Sequence, residues 1–319
     1  MDIDFLLWLQ GLRAAAAPGV EHFFVTVSAV AINPVFLVLP FLVLWCVDKA
    51  RGTLAIMSFS IGNLANQFVK NTVCAYRPWV RDVRIAPSEA ALPGATGYSF
   101  PSGHTLTAAT VVGGLGWAFR RLVWPAVLAA LFVVAVAFSR VFLGCHTPQD
   151  VVCALAEACV FIALTQALLR WVDQASGRDL TVLVVGLVAV VAFLVYVTVK
   201  PYPMDYADGK LLVDPTAMTV DCYKAGGVFT GFVVGWFMER RLVAFTTDGI
   251  GARERAIRAV VGVVCVLAFH VLLGKAAMAL PGPFAGPFVR HCLTFLAGTF
   301  VAPAIFSAIE RRLPREAAA

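Results

Sequence analysis

Residues 139–150 read SRVFLGCHTPQD. They join two apolar runs, at about 122–141 and 149–171, each long enough to cross the hydrocarbon core of a bilayer as a helix. In lipid the backbone N–H and C=O groups have no water to pair with, so a spanning run of this kind must be helical. Similar runs fall at about 28–47, 52–70, 103–119, 179–199, 225–239, 257–275 and 289–309, which brings the expected spans to nine. Alternation at period two, the mark of a membrane β-barrel, is absent. The 319-residue chain is 60% hydrophobic and only 14% charged, far below the charge of a soluble domain. The predicted fold is all-α, a polytopic membrane helical bundle of about nine transmembrane helices.

The chain carries a formal charge of +6, and its cations sit mainly beside the spans. Fourteen of the 25 lie at one set of span ends, from Lys49 and Arg51 through Arg120, Arg121, Arg240, Arg241 and Arg258 to Arg311, Arg312 and Arg315. The positive-inside rule makes that side cytoplasmic, and an odd span count then puts the N-terminus outside and the C-terminus in the cytoplasm. Anchoring and topology account for these charges, so no nucleic-acid partner is expected. The opening MDIDFLLWLQGLR carries two acids and no basic leader; its apolar spacing predicts a short interfacial helix rather than a signal peptide. The polar linker DQASGRD, residues 173–179, suggests a core over 1–175 and a four-span extension over 176–319 packed on it.

The stretch 139–150 leaves the fourth span on the outer side, where cations are ordinarily sparse. Lys70, Arg77, Arg81 and Arg84 leave the second span on that same side, and the local acids are only Asp82, Glu89 and Asp150. An excess of positive charge at an apolar rim calls for an anion. In KNTVCAYRP, residues 70–78, Lys70 and Arg77 are two helical turns apart, but Pro78 disfavours helix at Arg77, so the chain should unwind and fold Arg77 over a pocket. Asn63, Asn66, Gln67 and Lys70 form a polar stripe that must face the bundle interior. In YSFPSGHT, residues 98–105, Ser102 is placed to cap a helix whose start offers free N–H groups to an anion, with Gly103 allowing close approach. In HTPQD, residues 146–150, Thr147, Pro148 and Asp150 have the spacing of a capped helix start, and Asp150 can also accept a bond from the His146 ring.

These three pieces resemble the signature of the type-2 phosphatidic acid phosphatase superfamily: Lys, six residues, Arg-Pro; then Pro-Ser-Gly-His; then Ser-Arg, five residues, His, three residues, Asp. All three occur here in order and without a mismatch, over roughly residues 50–175. The resemblance implies a phosphatase core of the type-2 phosphatidic acid phosphatase and haloperoxidase kind. His146 would be the nucleophile, Asp150 its orienting partner and His104 the general acid and base, with Lys70, Arg77, Ser102, Gly103 and Arg140 holding the phosphoryl oxygens. It implies no metal and no other cofactor. The substrate would be a phosphorylated lipid such as undecaprenyl diphosphate, phosphatidylglycerol phosphate or phosphatidic acid, reached from the membrane at an extracytoplasmic site. The span count and outward N-terminus also look like the glucose-6-phosphatase branch, which leaves a soluble sugar phosphate or a phosphotransfer reaction open. A carrier that only binds phosphate would not need two histidines and an orienting acid. A vanadium-dependent peroxidase shares the constellation, but a polytopic membrane chain speaks against it.

Other features leave alternatives open. Glu157, two turns below Asp150, is either functional or bonded to a neighbouring helix. Loop 200–224 is either a lid or a solvated connector. Cys74, Cys145, Cys222 and Cys292 map near the outer face, as disulfides or, by default, as buried thiols. His22, His270 and His291 stand alone in sequence and read as packing residues rather than metal ligands. Oligomeric state is not legible.

Overall fold

The computed structural model describes residues 2–34, 36–207 and 209–312. Arg315, counted above among the cytoplasmic cations, lies outside them. The described residues are mostly helical. Helices α1 (Asp2–Ala15), α2 (Pro18–Ile32) and α3 (Leu39–Cys46) precede the long α4 (Lys49–Val73) and the single turn α5 (Pro78–Arg81). Helices α6 (Gly103–Ala108) and α7 (Gly114–Ala118) are joined by a π-helical turn into one rod, followed by α8 (Val123–Phe142), α9 (Pro148–Asp173) and α10 (Arg178–Val199). After a two-residue hairpin pairing Tyr206–Ala207 with Lys210–Leu211 come α11 (Pro215–Met238), α12 (Ala252–Ala268), α13 (Gly274–Ala277), α14 (Ala285–Leu296) and α15 (Ala302–Arg312).

Five helical stretches among the described residues are long and apolar enough to cross a membrane: 123–142, 148–173, 178–199, 252–277 and 285–312. Helices α2 and α3, bent by 44° at their junction, make a sixth if taken as one broken span. The chain is therefore an integral, multi-pass membrane protein, but the expected count of nine is not reached. The remaining expected spans do fall on helices. The polar stripe dilutes α4, glycines with Asp221 and Lys224 dilute α11, and α6 with α7 is short. The first expected span, 28–47, is also misplaced, because it straddles the bend between α2 and α3.

The main apolar core lies among α3, α4, α11, α12, α14 and α15, where Phe41, Trp45, Met57, Phe232, Trp236, Phe295 and Phe306 interlock. Helix α11 packs most closely on α14. Gly227 and Gly231 face its backbone so tightly that a Cβ on either would collide with the carbonyls of Phe288 and Cys292. Small residues one turn apart let two membrane helices approach to backbone contact, a spacing readable in GGVFTGFVVG.

Several cations at the end of the bundle remote from residues 139–150 are paired with acids. Lys49 pairs with buried Glu239 at 2.6 Å, Arg258 with Glu310 at 2.7 Å, Arg241 with Asp179 at 2.6 Å and Arg240 with Asp173 at 3.0 Å. Charges read from sequence as topology markers thus also clamp helix ends together. Helix α1 buries Leu6 and Leu9 against Ile85, Val141 and Leu143, and leaves Phe5 and Trp8 exposed. Arg13 donates to the carbonyls of Phe142 and Ala86, which ties α1 to the loops around residues 82–95 and 142–146. All eight cysteines are free thiols.

Gly231→Ala is expected to cost about 1–3 kcal/mol by forcing α11 off α14. A thermal unfolding midpoint in detergent equal to that of the unsubstituted protein would contradict the close approach.

Candidate active site

The site forms where one end of α4, α6, α8 and α9 meets the loops between them. Helix α4 ends at Val73 because Cys74 turns left-handed (φ 52°), and Arg77 is extended, as Pro78 requires. Ser102 caps α6 and accepts from the N–H and hydroxyl of Thr105. Thr147, Pro148 and Asp150 form the capping box the spacing predicts, with Thr147 N–H donating to Asp150 Oδ2 at 2.9 Å.

The centre of the site is the His146 ring, which is 2% exposed. Its Nε2 lies 2.8 Å from Arg77 Nη1 and its Nδ1 3.2 Å from Asp150 Oδ2. A guanidinium can only donate, so Nε2 must present its lone pair and Nδ1 must carry the proton toward the carboxylate. Asp150 Oδ2 thereby collects three donors: the ring, Thr147 N–H and the Ser99 hydroxyl. Burial first, then the positive charges of Arg77, Arg140 and Lys70, push His146 well below the usual imidazole range, which keeps the ring neutral.

The cations are held by backbone carbonyls. Lys70 Nζ donates to the carbonyls of Pro101 (2.6 Å), Tyr98 (3.2 Å) and Ser99 (3.4 Å). Arg77 donates to the carbonyls of Thr96 (2.9 Å), Gly97 (3.0 Å) and Cys145 (2.9 Å); burial and then Arg140 lower its pKa to about 10. Arg140 is different. It is 1% exposed, its Nη1 donates to Ser28 at 2.7 Å, and its Nε and Nη2 have no partner among the described residues. Two unpartnered donor nitrogens on a buried guanidinium have the right chemistry to bind an oxyanion. His104 is buried within electrostatic reach of Arg140, His146, Arg77 and Lys70. Its Nε2 lies beside Gly94, and Gly103 faces the Asn66 amide.

Lys70, Arg77, Ser102, Gly103, His104, Arg140, His146 and Asp150 therefore come together. Arg81 and Arg84, read from sequence as part of the same basic cluster, do not: they lie outside it, paired with Asp2 at 2.9 Å and Asp82 at 2.7 Å. Glu157 accepts from Asn66 at 2.8 Å, the bonded alternative of the two considered. Sequence reading missed two contributors. Ser99 lies inside the stretch 98–105, but one of its two serines gives no sign of its partner. Ser28 belongs to α2, and only folding brings it to Arg140.

A family model described as PAP2 superfamily matches residues 51–174, and a second, described as PAP2 superfamily phosphatase, transmembrane extension, matches residues 223–313. The chain belongs to the PAP2 superfamily. All eight gathered residues fall inside the first PAP2 match. The chain is similar to an undecaprenyl-diphosphatase of Sulfolobus acidocaldarius, 31% identical over 101 residues that make up 32% of this chain and 47% of that protein. It is also similar to phosphatidylglycerophosphatase B of Escherichia coli, 39% identical over 89 residues, or 27% of this chain and 33% of that protein. The chain thus spans less than half the length of these PAP2 relatives. No solved structure matches it.

A ring held neutral in the fold takes up its proton only on unfolding, so its contribution to stability is full above the unfolded pKa of about 6.5 and is lost as pH falls below it. The unfolding midpoint is expected to drop between about pH 6.5 and pH 5, with a shallower drop in His146→Asn. Identical slopes for the two proteins would show that the His146 ring is not held neutral.

Proposed function

We propose that the protein is a metal-independent phosphatase of phosphorylated lipids that works through a phosphohistidine. The observation that carries this reading is the His146 ring, held by Asp150 and Arg77 beside a buried Arg140 whose Nε and Nη2 lack partners among the described residues. A phosphoryl group placed there would take donors from Arg140 and from the N–H groups at Gly103, with Lys70, Arg77 and Ser102 around it. The Arg77 Nη1–H now given to His146 Nε2 would pass to a phosphoryl oxygen and free the lone pair for attack. The Nε2–P bond forms as the P–O bond to the leaving alcohol breaks, and His104 gives that oxygen its proton. Asp150 stabilises the positive charge that develops on the ring. Water then attacks phosphorus, gives its proton to His104, and displaces His146. The net change is ester plus water to alcohol plus inorganic phosphate.

The names of the two relatives favour a lipid-linked diphosphate or phosphatidylglycerol phosphate, with phosphatidic acid as a third candidate. A site at the ends of apolar helices suits a substrate whose chain stays in the bilayer while its phosphate enters the polar pocket. The concentration of cations at the opposite end supports an extracytoplasmic site, with the N-terminus outside and the C-terminus in the cytoplasm. We assign catalysis to residues 1–175, and to 176–319 the role of an extension packed on that core.

His146→Ala is expected to abolish phosphate release while the protein still inserts and folds; full activity in that variant would overturn the assignment. Arg140→Leu should lower the rate by about 10²–10³, measured as phosphate release from phosphatidic acid in detergent. Because side-chain cations take the part a divalent ion would play, activity is expected to persist in excess EDTA, and a strict requirement for added magnesium would count against this mechanism.

A further inference from the structure

Residues 197–218 fall outside both matched regions, yet they grip the loops of the site. Lys200 donates to the Asn71 carbonyl and lies 3.3 Å from the Cys74 sulfur, and Tyr202 donates to the Asn71 side chain at 3.1 Å. Tyr76 donates to Asp205 at 2.5 Å. The contact nearest the chemistry is apolar. Val213 and Met218, from the loop before α11 and its first turn, form a buried cluster with Tyr98, which is wholly buried. The tip of Met218 fills the space over Gly97 that a side chain there would occupy.

Gly97 is left-handed (φ 67°), a conformation that costs glycine little and that has no side chain of its own to fix it. The carbonyls it presents matter. Gly97 O and Thr96 O take Nε and Nη2 of Arg77, and Tyr98 O takes Lys70. A turn that positions two buried cations is therefore held from outside by one thioether.

We propose that Met218 is a positioning residue for the phosphoryl cradle: by wedging the Gly97 turn it holds Arg77, and through Tyr98 also Lys70, where they meet the phosphoryl oxygens. This rests on the phosphatase reading for the role of those cations, and it gives the extension a part in the active site. An unbranched, polarisable side chain suits the irregular gap over a backbone turn. Displacing a phosphoryl-binding cation by even ~1 Å can cost up to about 10²-fold in rate.

The test uses the full-length protein in detergent, with orthovanadate as phosphoryl mimic and short-chain phosphatidic acid as substrate. Met218→Ala is expected to weaken vanadate binding and lower kcat/KM by about tenfold, and Met218→Leu to restore both. Met218→Val, a milder truncation, should give about a threefold loss should the alanine variant fold poorly. In an Arg77→Lys background the same Met218→Ala change should weaken vanadate binding less than it does in the unsubstituted protein, because one of the two groups it positions is gone and only Lys70 remains. A lower melting temperature with vanadate affinity and kcat/KM unchanged would overturn the proposal and leave the phosphatase reading standing. Unsubstituted protein that neither binds vanadate nor releases phosphate would overturn both.

Discussion

Three cationic side chains, Lys70, Arg77 and Arg140, are buried in one small volume; Asp150 acts on Lys70 and Arg77, and Glu157 and Asp221 also reach Lys70. Burying a charge without a partner costs several kcal/mol, and like charges raise that further. Much of the local architecture answers this constraint. Residues 96–99, 101 and 145 turn their carbonyls inward, and each hydrogen bond to a charged group returns about 1.5–3 kcal/mol. Lys70 and Arg77 are satisfied in this way and Arg140 is not. The remaining deficit is where an anionic ligand would contribute most.

The contrast with the other end of the bundle is instructive. There Lys49, Arg240, Arg241 and Arg258 each meet a carboxylate, and those pairs tie α4 to the turn after α11, α9 and α10 to that turn, and α12 to α15. Cations matched by acids hold helix ends together. Cations answered by neutral carbonyls keep their net positive field, which also holds His146 in its neutral form. The same residue types thus serve structure at one end and, on the proposed reading, chemistry at the other.

The extension is not a passive appendage. Helix α11 lies against α14 through Gly227 and Gly231, and the segment leading into α11 closes over the loops that carry Tyr76, Gly97 and Tyr98. The apolar packing of the second half of the chain and the geometry of the site in the first half therefore share one element, helix α11.

The chain alone was enough to read the membrane-helical class, the eight residues that gather at one end, and the two helix starts at Ser102 and Thr147. Each rests on local physics: hydropathy over a run, N-cap chemistry, and proline's effect on the residue before it. It could not count the spans, because length and hydropathy do not separate a polar-striped helix such as α4 from the apolar ones, nor place the bend between α2 and α3. Arg81 and Arg84 looked equivalent to Arg77 in the chain, and only folding sent them to Asp2 and Asp82. Ser99 under Asp150, Ser28 on Arg140 and Met218 over Gly97 were likewise decided by tertiary structure alone. Their partners lie 51, 112 and 121 residues away, a separation at which no periodicity or spacing rule reports contact.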